Sequence, residues 1–135
     1  MSTTIAMSKF FPLTEKGIDE AIKETKAGNY RFCNEGEKDG KNVYYARYIG
    51  RSDRDIKTEN KMQGLLYKVD NNDFPLYSHF QYVYEKNADE AYRNECIDYH
   101  YFPKLDNEVH PATPENSNIK CPVEGCEHSG KPKSK

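Results

Sequence analysis

Aromatic residues recur at every second position in three separate runs of this chain: Tyr30 with Phe32, then Tyr44 and Tyr48 around Ala46, then Phe80, Tyr82 and Tyr84. A period of two puts alternate side chains on one face, so each run reads as a half-buried β-strand. Three short strands with one aromatic face need helices to cover them. Segments of helical spacing supply that cover. Thr14 is placed as an N-cap ahead of Ile18, Ala21 and Ile22, and Gly28 is a stop, which predicts a helix from Thr14 to Ala27. Ser52 or Asp53 can cap a second helix to about Tyr67, with Ile56, Met62, Leu65 and Leu66 as its apolar positions. Asn87, with Glu90 three residues on, has capping-box spacing and opens a third helix. Its stripe is Ala88, Ala91, Tyr92, Cys96 and Tyr99, and it ends near Pro103. The order predicts an α+β fold, a small three-stranded antiparallel sheet flanked by helices. Asn34 to Lys41 reads as a long solvated hairpin loop, and Asp70 to Asp73 with Pro75 as a turn cluster.

At 135 residues the chain is one ordinary domain, which excludes an enzyme with separate cofactor and substrate domains. Its mean hydropathy of -1.02 is low for a fully packed globule. The shortage falls on residues 106–135, which hold four of the seven prolines and few apolar residues, and read as an extended tail. The chain therefore divides into an arm and helix, 1–27, a core, 28–105, and that tail. Eleven Tyr and six Phe argue against disorder throughout, because disordered chains are poor in aromatics. No apolar run is long enough for a membrane helix and the N-terminus lacks an apolar signal core, which points to a soluble, cytoplasmic protein. Twenty basic against 22 acidic residues exclude a histone-like blanket of positive charge, so a nucleic-acid partner must be met by a local patch. Arg47, Arg51, Arg54, Lys57 and Lys61 form the densest basic stretch, either such a patch or a solvated helix face.

Two groups of residues carry chemistry of their own. Glu95 falls inside the apolar stripe of the third helix, where an ionised carboxylate needs a cation, either a metal or a partner such as Arg93 or a lysine. In the tail, Cys121, Cys126 and His128, with His110 upstream, fit a tetrahedral zinc; the alternative is free thiols in a flexible extension. Cys33 and Cys96 read as small core residues. His79, on the third strand, is a surface residue or faces the site.

Gly28-Asn29-Tyr30 and Tyr48-Ile49-Gly50 lie on adjacent predicted strands, and with Arg51-Ser52-Asp53, Glu95 in Asn94 to His100, and Asp106 to Pro111 leading to Cys121-Pro122 they form an ordered set. In this the chain resembles the GIY-YIG nuclease family from about Gly28 to Cys126. The resemblance implies a metal-dependent endonuclease acting on DNA phosphodiesters, with no small-molecule cofactor and no membrane. It implies that Glu95 holds one divalent ion, Mg²⁺ or Mn²⁺. Tyr30 would be the general base for water or the residue that positions it. A phenol ordinarily titrates near about 10, so that role asks for a nearby cation. Tyr48 would support Tyr30 by hydrogen bonding, and Asn107 matches a late asparagine of the family's site. The family carries an arginine about ten or eleven residues beyond the second motif's tyrosine, often followed by a histidine. Here Thr58 and Glu59 stand at the arginine's place and Gln63 at the histidine's, which reverses the charge facing a phosphate. Arg51, Arg54, Lys57 or Lys61 could supply that charge from the same segment. The alternative function is a catalytically degenerate member acting as a nucleic-acid-binding or protein-interaction module; a further alternative is an unrelated small α+β domain, for which Glu95 would lie far from Tyr30 and Tyr48.

Overall fold

A computed structural model describes residues 5–59 and 77–127. The fold is α+β. In chain order it runs β1 (Phe11–Pro12), α1 (Glu15–Ala21), β2 (Gly28–Lys38), β3 (Lys41–Ser52), a helical segment α2 at 56–59, β4 (His79–Tyr84) and α3 (Ala88–Tyr101). The sheet has four strands in the order β1-β4-β2-β3, all pairs antiparallel. The strand beyond the three expected ones is made by the N-terminal arm, whose Phe11 and Pro12 pair with Phe80 and His79.

The caps anticipated for the first and third helices hold. The Thr14 hydroxyl accepts from the Gly17 N–H and the Asn87 side chain from the Glu90 N–H, each supplying an acceptor for an orphan donor of the first turn. α1 stops at Ala21, with Ile22 extended, well before the predicted Ala27. Asp55, rather than Ser52 or Asp53, caps α2, accepting from the N–H groups of Lys57 and Thr58. The rest of the second predicted helix and the 70–75 turn lie outside the described residues.

The predicted loop from Asn34 to Lys41 is strand. From Cys33 onward β2 pairs with β3 up to a two-residue turn at Asp39 and Gly40, both with positive φ (54° and 78°), as a tight hairpin connection requires. The register shifts between Phe32 and Cys33, which pair with Tyr48 and Ala46, so Arg47 is an extra residue of β3 and Tyr48 does not share a face with Tyr44 and Ala46 as their alternation predicts.

The two faces of the sheet differ in kind. Tyr30 and Phe32 of β2 point to a core with Leu13, Ile18, Ile22, Ile56, Tyr77 and Phe80. Asn29 and Arg31, one residue out of phase, point to α3, where the Asn29 amide donates to the Ala91 carbonyl at 2.8 Å. Arg31 meets Asp98 through two hydrogen bonds, Nε to Oδ2 at 2.8 Å and Nη2 to Oδ1 at 2.9 Å. α3 is therefore fastened to the sheet largely by polar side chains, and a carboxylate on its inner stripe is in keeping with that surface.

Candidate active site

β3 is one of the two edge strands of this sheet, and its C-terminal end opens onto a cleft of about 310 Å³ lined by Tyr30, Tyr48, Ile49, Gly50, Arg51, Ser52, Asp53, Glu59 and Glu95. The three residues expected to converge, Tyr30, Tyr48 and Glu95, all line it, joined by Arg51.

Each is held for a local reason. Tyr30 is fully buried at the centre of the sheet and packs on Phe32 with ring centroids 4.7 Å apart. Gly50 sits opposite it in the register, and a methyl group there would overlap the Tyr30 ring and hydroxyl. Glycine is thus needed for the tyrosine to lie across β3. Tyr48 stacks on Phe32 at 5.9 Å and faces Tyr77 at 6.3 Å.

Glu95 pairs with neither Arg93 nor a described lysine. Arg93 turns outward to Glu90 at 2.6 Å, and Glu95 Oε1 accepts instead from Arg51 Nη1 at 2.6 Å. Arg51 also donates from Nε to Asp53 at 2.7 Å and lies over the Tyr92 ring at 5.3 Å. Burial pushes the Glu95 carboxyl up to about 7; Arg51 pulls it down, and Asp53 and Glu59 push it up. Arg51 loses some basicity to burial, but its bonds to Asp53 and Glu95 hold it above the ordinary guanidinium range.

The cleft thus places three carboxylates, Asp53, Glu59 and Glu95, around one guanidinium. That charge set fits a hard divalent cation, and so does Glu95 itself, whose Oε2 receives no hydrogen bond from any described residue. It fits a phosphate less well, because Glu59 lines the cleft where the resemblance calls for a cation.

Asn107 lies against the outer edge of β3 and pairs with it as a strand residue would. Its Nδ2 donates to the Ile49 carbonyl at 2.8 Å and its Oδ1 accepts from the Ile49 N–H at 2.9 Å. Beside it the Asp106 N–H donates to the Arg47 carbonyl at 2.6 Å, and the Asp106 carboxylate accepts from Arg47 and from the Tyr77 hydroxyl. With both ends of its amide on the backbone, Asn107 positions the strand that carries Tyr48 and Gly50.

The basic stretch is largely matched by acids: Arg47 by Asp106, Arg51 by Asp53 and Glu95, and Lys57 by Asp19 at 3.2 Å. Arg54 is exposed, and Lys61 and Gln63 lie outside the described residues. His79 lies away from the cleft, against the Tyr44 ring and 3.6 Å from Glu35. Cys33 and Cys96 are buried as expected, and burial raises the Cys33 thiol to about 12.

The tail reading is corrected in one respect and extended in another. Residues 106–127 contain no α-helix or strand but pack on the domain, with Cys121 buried against Tyr92 and Cys96. His128 lies outside the described residues, and the cysteines meet His110 and a second histidine, His100 from the last turn of α3. The signal for His100 is in the sequence, since it lies four residues, one helical turn, beyond Cys96. Asp53, a cap candidate by its place in the sequence, instead meets Arg51 two residues before it, while Tyr92, read only as part of the apolar stripe, is brought to Arg51 by the fold. Among the described residues no helix is long and apolar enough to cross a membrane. No protein-family model, curated protein or solved structure matches the chain.

Proposed function

We propose that this chain is a metal-dependent phosphodiesterase of GIY-YIG type that acts on DNA. The observation that carries the reading is that Tyr30, Tyr48, Arg51 and Glu95, brought from two strands and a helix, line one cleft. The Glu95 carboxylate is the residue that would hold a Mg²⁺ or Mn²⁺ ion, a hard cation suited to oxygen ligands. When bound, such an ion offsets the charge that develops on the phosphate oxygens. Tyr30 would orient the attacking water through its phenolic oxygen and, having first lost its own proton to solvent, would take the water's proton and return to the neutral phenol; Tyr48 lies across Phe32 from it. The water oxygen bonds to phosphorus as the bond to the leaving sugar oxygen breaks, and that oxygen recovers a proton from solvent. Arg51, which donates to Glu95 at 2.6 Å, is the guanidinium that lines the cleft and would meet a phosphate oxygen there.

Glu59 favours a second reading, a domain of the same fold that binds nucleic acid or protein without cutting. A carboxylate in the cleft repels the backbone that a nuclease must approach. Plasmid nicking with Mg²⁺ or Mn²⁺ separates the two. The nuclease reading expects nicking that is lost in Glu95→Ala, reduced at least about tenfold in Tyr30→Phe, and increased in Glu59→Arg. Absence of nicking by both wild type and Glu59→Arg, or nicking indifferent to Glu95→Ala, would sink it in favour of the binding module.

A further inference from the structure

Outside the cleft lining, three distant pieces of chain bring metal-ligand side chains together. His100 comes from the last turn of α3, His110 from the segment after Asn107, and Cys121 and Cys126 from the turn that follows. Their ligand atoms all lie within 4.8 Å of one another. A tetrahedral zinc with two thiolates and two imidazoles has sulfur-to-nitrogen edges of about 3.5 Å, from metal bonds of about 2.3 and 2.0 Å. The Cys126 Sγ and His110 Nε2 are already 3.4 Å apart.

A second observation points the same way. His110 Nδ1 lies 2.9 Å from the Pro111 carbonyl oxygen, which can only accept, so Nδ1 carries the proton. In the neutral ring this leaves the lone pair on Nε2, the atom facing Cys126. A ligating histidine is commonly fixed in this way, with its far nitrogen donating to a backbone carbonyl. The surroundings also need a staple. The apolar contact holding the tail consists of Cys121 on Tyr92 and Cys96, with Ile119, Val123 and Cys126 at its margin. So little apolar burial leaves much of the tail's ordering to other interactions.

We infer that His100, His110, Cys121 and Cys126 form a structural zinc site that clamps the tail to α3 and thereby holds Asn107 on the edge of β3. The four protein ligands close the coordination shell, so the ion orders the chain rather than reacting. The inference does not depend on the nuclease reading.

The test uses the full chain, kept reduced, measuring bound zinc after gel filtration and titrating the stripped protein with Co²⁺. Binding of about one ion per chain is expected, with the visible bands of tetrahedral cobalt and thiolate-to-metal charge transfer. Cys126→Ser should lose the stoichiometric metal. His100 is exposed, so His100→Ala leaves the core intact and should weaken the metal at least about tenfold. Stripping the metal should also speed hydrogen exchange at the Ile49 amide, whose acceptor is Asn107 Oδ1. No uptake of zinc or cobalt by the reduced wild type, or uptake unchanged in both variants, would overturn the site. Unchanged Ile49 exchange on metal removal would overturn its role in holding Asn107.

Discussion

Glu95 illustrates how one side chain can be costly to the fold and still suit the site. Its side chain is 11% exposed, its one described partner is Arg51, and Arg51 is shared with Asp53. The carboxyl titrates at about 7 in the folded chain against about 4.5 when unfolded, so the folded chain holds the proton more tightly. Stability from this group is therefore fully present below about pH 4.5 and is lost as the pH rises to about 7. Glu95→Gln keeps the neutral shape. The variant should match the wild type in thermal unfolding near pH 4 and exceed it by about 1 to 3 kcal/mol at pH 8 without divalent metal. Equal melting temperatures at both pH values would show that Arg51 compensates the charge in full. The sequence exposes the anomaly of an acid in an apolar stripe, but not its partner, because Arg51 belongs to a strand that meets α3 only in the folded chain.

At the scale of elements, β3 is the part on which the site depends most. It contributes Tyr48, Gly50 and Arg51, and its outer edge is paired by the Asn107 side chain. Gly50→Ala should push the Tyr30 ring off its place on Phe32, costing about 1 to 3 kcal/mol in denaturant unfolding and reducing nicking more than stability alone explains. A variant as stable and active as the wild type would show that the ring has room to move. Helix starts were legible because Thr14 and Asn87 form caps from their own local sequence. The hairpin was read too short because Gly, Asn, Asp and Glu at its tip look like loop. Their pairing is set by the turn at Asp39 and Gly40, and beyond Phe32 this half of β2 carries no aromatic alternation to reveal it. β1 was missed because two residues carry no period; they are strand only because β4 offers an edge.

For the whole molecule, the joint that matters is Arg31 with Asp98. The arginine of β2 also donates to the Ile5 carbonyl at 2.7 Å and to Gln81 of β4 at 3.3 Å, so one guanidinium ties the arm, two strands and α3. The pair is almost wholly buried, at 7% and 1% side-chain exposure. Removing one partner strands the other charge, so Asp98→Ala should cost about 3 to 5 kcal/mol in urea unfolding, while the exposed Lys16 and Glu20 pair should contribute under about 1. A loss for Asp98→Ala no larger than that for Glu20→Ala would refute the joint.

The contact of Asp106 and Asn107 with β3 also bears on solubility. An edge strand is a template onto which a second chain can add, and here two tail residues occupy its backbone groups at Arg47 and Ile49. They lie almost sixty residues further along the chain, so during synthesis the sheet is complete before its guard has left the ribosome. Intermolecular strand addition and aggregation are then hazards of the interval before the tail docks, and of any variant that loosens it.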